Sequence, residues 1–104
     1  MKMTSEFLDA VKRARGYRYD TELAAELGLS KAQVSKYRAK IDALSDVVAE
    51  RVAEILELHP AYVLACVHAE RAGDSPTRDV WRSVADRFEK DNATSYNRYY
   101  VKLK

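Results

Sequence analysis

"LAAELGLSKAQVSKYRAK", residues 23–40, begins as an alanine-rich helical pattern, breaks at Gly28, and resumes with four basic residues and no acidic one. Leu23, Ala24 and Leu27 share one helical face, and Gly28 follows where a left-handed glycine commonly closes a helix. Ser30 then offers a side-chain oxygen to the free N–H groups of a new first turn. Beyond it, Val34, Tyr37 and Ile41 recur at i, i+3 and i+7, which predicts a helix over 30–41 with those residues inward. Lys31, Ala32, Gln33, Ser35, Lys36 and Arg38 are left facing solvent or a ligand. The pattern is two short helices joined across Gly28-Leu29-Ser30, the second with a bare basic face.

The rest of the chain reads as helix as well. Residues 4–15 place Phe7, Leu8 and Val11 on one stripe, with Glu6 and Asp9 early and Lys12, Arg13 and Arg15 late, as the helix dipole favours. Gly16 ends that segment, and the helix over 20–27 starts from Tyr19 or Asp20. Ser45 caps a fourth helix with Val48, Val52, Ile55 and Leu56 inward. "PAYVLACVHA", 60–69, is apolar almost all round and needs cover on more than one side. "GDSPT", 73–77, is a clear break with Ser75 as cap and Pro76 at the first helical position, and a sixth helix runs to about Lys90 with Val80, Trp81, Val84 and Phe88 on its stripe. Only "YYVKLK" alternates with the period of a strand. The expected fold is all-α: a five-helix unit over 1–73, then a segment over 74–104 with an additional C-terminal helix and a basic, aromatic tail.

Length and composition narrow the function. At 104 residues, 47% hydrophobic and 33% charged, the chain is suited to one compact core. It has no apolar run of membrane-spanning length and no signal-peptide pattern, so a cytoplasmic location is expected. A single cysteine, Cys66, fits a reducing compartment and reads as a small core residue. The net charge is only +2, but it is unevenly spread. Lys31, Lys36, Arg38 and Lys40 stand unopposed, whereas Asp42, Asp46, Glu50, Glu54 and Glu57 face the single Arg51. One basic and one acidic face follow.

Two helices across a short turn, with small Ala24 at their approach and Val34 between them, form a helix-turn-helix pattern. In that motif the second helix enters the DNA major groove and the first crosses the phosphate backbone. Residues 5–65 resemble the lambda-repressor and Cro type of DNA-binding domain, in "LAAELGLSKAQVSKYR" and again in "VAEILELHPAYVL" at 52–64. With "AERVAEILELHPAYVLACVHAERA" at 49–72 included, nearly the whole chain is similar to a phage-related helix-turn-helix family found in prophages, including those of filamentous phages. The resemblance implies base-reading positions at Lys31, Ala32 and Lys36, with Gln33 and Ser35 intermediate. It implies phosphate contacts at Tyr19, Thr21 and Ser30, and at Lys40 beyond the helix. Arg38, also placed among the phosphate candidates, stands where the family often has an acidic residue.

The implied function is a sequence-specific transcription regulator, a phage or prophage repressor that binds double-stranded operator DNA as a homodimer. Doubled half-sites about one helical turn apart supply contacts that one small domain lacks. Tyr62, Leu64, Val67, Trp81, Val84 and Phe88 are the dimer-interface candidates, either between subunits or with the Trp81 helix covering 60–69 within one. A second reading uses 60–69 to hold a protein partner, as an antitoxin or adaptor, with the helix-turn-helix as scaffold. No cofactor, metal or small-molecule ligand is expected. Cys66, His68 and His59 lack a tetrahedral ligand set, and no glycine-rich phosphate loop or nucleophile beside a base suggests an enzyme.

Overall fold

A computed structural model describes residues 2–89 of the chain. The described residues contain α1 (Thr4–Arg15), α2 (Asp20–Leu27), α3 (Lys31–Arg38), α4 (Asp46–Leu56) and α5 (Pro60–Ala72), followed by α6 over 77–89. No strand occurs among them, and the alternating run near the C-terminus lies outside the described residues.

The core is organised around the α4–α5 pair. Val52 and Ala53 of α4 meet Val63, Cys66 and Val67 of α5, all fully buried, and α1 adds Phe7, Leu8 and Val11. Phe7 and Tyr62 pack edge to face, with ring centroids 6.2 Å apart. Burial of this kind removes apolar surface from water at roughly 25 cal/mol per Å² and supplies most of the driving force for the fold. Burial also pushes the Tyr62 hydroxyl and the Cys66 thiol well up from their ordinary values, so Cys66 is a protonated core side chain.

Polar groups tie the helix ends to this core. Thr4 is buried, and its N–H and hydroxyl both donate to Glu70 Oε1, at 2.7 and 2.9 Å, while its oxygen accepts from the Leu44 N–H at 3.1 Å. Arg71 donates to the Leu44 carbonyl and to Asp46, holding the loop before α4 against the end of α5. Ser45 accepts from the Val48 N–H, as an N-cap does. At the start of α5, His59 Nδ1 accepts from the Ala61 N–H at 3.0 Å, beside Pro60 at a first-turn position that needs no donor.

α6 covers α5 within the chain. His59 stacks on Phe88 and His68 on Trp81, each with centroids 4.7 Å apart, and Ala85 is fully buried between those contacts. The inward stripe of α6 is therefore Trp81, Val84, Ala85 and Phe88, whereas Val80, expected on it, is 62% exposed. Tyr62 and Val67, expected as candidates for a face toward a second copy, are enclosed in the core and cannot touch one. Leu64, Trp81, Val84 and Phe88 are only partly buried.

Candidate nucleic-acid interface

The turn between α2 and α3 is made by backbone conformation. Gly28 takes φ 66° and ψ 34°, a left-handed geometry. A Cβ there would meet nothing within 4 Å, so dihedral strain, not crowding, favours glycine. The Leu29 N–H donates back to the Ala24 carbonyl at 2.8 Å and closes α2. Ser30 is extended, and its Oγ accepts from the Gln33 N–H while Gln33 Oε1 accepts from the Ser30 N–H. This reciprocal capping box satisfies two free donors and sets the direction in which α3 leaves the turn.

The two faces of α3 then separate cleanly. Tyr37 is buried in the core cluster with Leu23, and Val34 is buried beside Ala24 at the groove between the helices, while Lys31, Ala32, Gln33, Ser35 and Lys36 are all exposed. Gln33 is exposed but committed, since its carbonyl already serves the cap and its amide N–H₂ is the group left to reach outward. The hydroxyl proton of Ser30 is available to a phosphate, because its oxygen is the acceptor in the cap. Tyr19, 61% exposed, sits at the N-cap of α2, and the adjacent Thr21 is also exposed. Glu22 accepts from the N–H groups of Arg18 and Tyr19 and fixes that first turn.

α3 ends sooner than its apolar spacing suggests. Helical geometry stops at Arg38, Ala39 is the cap, and Lys40 takes φ 60°. The Ile41 N–H donates to the Lys36 carbonyl and the Lys40 N–H to that of Tyr37, a left-handed closure made without glycine. Ile41 is consequently 69% exposed and is not part of the inner face expected for it. Lys40 lies in the loop beyond the helix and is exposed.

Arg38 differs most from its sequence reading. Its Nε and Nη2 donate to the two oxygens of Asp20 at 3.1 and 3.0 Å, and its Nη1 donates to Asp9 at 2.8 Å and to the Ser5 carbonyl at 3.3 Å. A planar guanidinium makes this two-oxygen grip where a lysine would not. Placed among the phosphate contacts by sequence, Arg38 instead has its donors engaged inside the protein, joining the end of α3 to α1 and to the start of α2. Lys12 adds a further contact to Asp20 at 3.1 Å. The Arg38 hydrogen bonds hold the Asp20 carboxyl below its ordinary range and raise the guanidinium in turn. The sequence assigned Asp9 only to the dipole of the first helix and Asp20 only to the start of the second, not to a shared partner. Their signal was the unusual charge at position 38, which required acidic partners.

Between α2 and α3 lies an open groove of about 820 Å³, floored by Ala24, Leu29 and Val34 and edged by Thr21, Lys31 and Ser35. Small side chains, Ala24, Ala25 and Ala39 among them, keep it open. The three side chains weighed as metal ligands are separately occupied: Cys66 in the core, His59 in its cap, and His68 between Asp46, at 3.2 Å, and Trp81. No described helix is long and apolar enough to cross a membrane.

Neither a search of curated proteins nor one of solved structures returned a match. The helix-turn-helix family model matches residues 9–63, from the middle of α1 to the first turn of α5, and so includes α2, the Gly28 turn, α3 and the Arg38 junction. With the capped turn, the buried Val34 and the exposed face of α3 in place over that same span, the chain belongs to the lambda-repressor and Cro type of helix-turn-helix family, a family of DNA-binding regulators.

Proposed function

We propose that the protein is a sequence-specific repressor of phage or prophage genes, binding a two-fold operator as a dimer with α3 in the major groove. The observation that carries DNA reading is the outer face of α3, where Lys31, Ala32, Gln33, Ser35 and Lys36 are exposed together on a helix whose direction is set by the Ser30–Gln33 cap. Lys31 and Lys36 are suited to guanine O6 and N7, while Thr21, Ser30 and Lys40 are suited to phosphates. Gln33 contributes its N–H₂ alone, since pairing with adenine through both amide groups would compete with its cap. The prophage assignment rests on the resemblance of 49–72.

The dimer is inferred from the few contacts a unit of this size makes with one half-site. The half-exposed Leu64, Trp81, Val84 and Phe88, with 74–104, are the segment we assign to it, leaving 1–73 for DNA. The adaptor reading has less support. It needs a free apolar face on 60–69, and Tyr62, Val63, Ala65, Cys66, Val67 and Ala69 are all buried within the chain.

Selection of bound duplexes from a random DNA pool, followed by gel-shift titration against a scrambled competitor, tests the proposal. Lys36→Ala is expected to cost about 1–3 kcal/mol at one position of the selected site and to relax the preference there. Lys40→Gly, which suits the left-handed backbone, is expected to weaken selected and scrambled DNA alike and to lower the salt slope by about one unit. Failure of the pool to converge, with both variants binding like the wild type, would remove the DNA-reading role of α3.

A further inference from the structure

The recognition helix does not account for all of the exposed positive charge. The run "KRARGYRY", 12–19, brings Lys12, Arg13, Arg15 and Arg18 to the end of α1 and the loop after it. Two of these cations are neutralised internally, Lys12 by Asp20 at 3.1 Å and Arg15 by Glu26 at 2.7 Å. Arg13 and Arg18 are exposed and form no ion pair among the described residues. The C-terminal dipole of α1 explains a cation at position 13. It does not explain one at 18, past the helix and one residue from the N-cap of α2.

Both arginines border the same cleft. Gly16, at φ 71°, turns the chain back beside the end of α1, so that Arg13, Gly16, Tyr17 and Arg18 line a shallow space of about 460 Å³ with Asp9 and Lys12. The carboxylate of Asp9 is occupied by Arg38 and the ammonium of Lys12 by Asp20, so the charge not balanced within the cleft is that of the two guanidiniums. Arg38 and Asp20 are also walls of the groove between α2 and α3. The cationic cleft and the groove therefore meet at one charged junction, on adjoining parts of the surface.

We propose that this cleft is an additional phosphate site, in which Arg13 and Arg18 hold backbone phosphodiesters of the duplex whose bases α3 reads. The inference rests on the DNA-binding reading above and extends it to residues outside both the recognition helix and the expected phosphate contacts. Guanidinium groups match phosphate oxygens in charge and planar donor geometry, and such contacts add affinity without sequence preference. The Asp9–Arg38 and Lys12–Asp20 pairs join the cleft to the groove that Lys31 and Ser35 line, and it is across this junction that one duplex would engage both.

The test uses the full chain with Arg13→Gln and Arg18→Gln, singly and together, on a selected duplex and a scrambled one across a range of salt. Thermal melts are expected to match wild type for Arg18→Gln and to fall only slightly for Arg13→Gln, which gives up its charge at the C-terminal dipole of α1. Each single variant should lower the slope of log affinity against log salt by about 0.9, and the double variant by about twice that. The affinity loss should be the same factor on both duplexes, and Arg13→Lys with Arg18→Lys should restore most of the slope. Phosphate ethylation should interfere at positions in the wild-type complex that no longer matter to the double variant. An unchanged slope and interference pattern in variants of a DNA-binding wild type would sink this site alone. Loss confined to the selected duplex would also overturn it, by assigning the arginines to bases. A wild type that binds neither duplex would remove the DNA-binding reading itself, and this site with it.

Discussion

α2–α3 and α4–α5 are both pairs of helices joined by a short turn, yet they are held together by different forces. α4 and α5 interlock through Val48, Val52, Ala53, Tyr62, Val63 and Val67, while Glu50 and Glu54 of α4 stay on its exposed side. α3 buries only Val34 and Tyr37, and its orientation depends on a capping box at one end and on the Arg38 guanidinium at the other. A helix that presents one face to DNA cannot surround itself with apolar partners. Its direction must be set by specific polar contacts, which are weaker than the core but geometrically more exacting.

The largest expected effect lies on the apolar side. Phe7→Ala removes a fully buried ring that packs on Tyr62, and is expected to cost about 3–5 kcal/mol in chemical denaturation. Loss of α2–α3 and α4–α5 in one transition would show that the polar pair has no stability apart from the core. Two separate transitions would break that picture.

Arg38→Met tests the polar side. It keeps the apolar stem, removes the donors, and leaves Asp9 and Asp20 without their shared cation. We expect a modest loss of about 1–2 kcal/mol, discounted for partial exposure. The loss of discrimination between selected and scrambled DNA should be larger than that of a surface substitution, because α3 loses its far anchor. Full retention of discrimination would show that the cap alone orients the helix. Arg38 depresses Asp20 below the ordinary 3.8, so this junction contributes fully above that value and is lost as pH falls through the depressed one.

The smallest effect separates the two pairs by pH. His59 is pushed below the usual 6.5 by burial, and its Nδ1 must be unprotonated to accept from Ala61. Its folded value being depressed, the unfolded chain takes up the proton first. The contribution is present above 6.5 and is lost as pH falls below it. Melts at about pH 7.5 and about pH 5.5 should show a drop of less than about 1 kcal/mol in wild type, reduced in His59→Asn, which caps without titrating. An equal drop in both would place the sensitivity elsewhere.

The helices, the Gly28 turn and the exposed face of α3 were legible in the chain because each depends on neighbours within a few residues. Phe7, Leu8 and Val11 announce a stripe, Gly28 a left-handed turn, and Ser30 with Gln33 a cap. Helix ends without glycine were not legible. Lys40 and Glu57 both adopt left-handed backbones, at φ 60° and 56°, where the side chain gives no warning. The excess length read into α3, and the inward place given to Ile41, follow from that.

Local periodicity was thus enough for the all-helical class and for the face that α3 turns outward, since spacing along a helix decides which side chains share a side. What covers the apolar 60–69 segment was decided only when α1, α4 and α6 packed around it, with His59 on Phe88 and His68 on Trp81. The Arg38 junction likewise unites positions 9, 20 and 38, and the Thr4–Glu70 node joins residues 66 apart in the chain. Pairings at such separations carry no periodic trace. They arise because helix lengths and turn angles bring distant charges within hydrogen-bonding reach, and only the folded chain sets those angles.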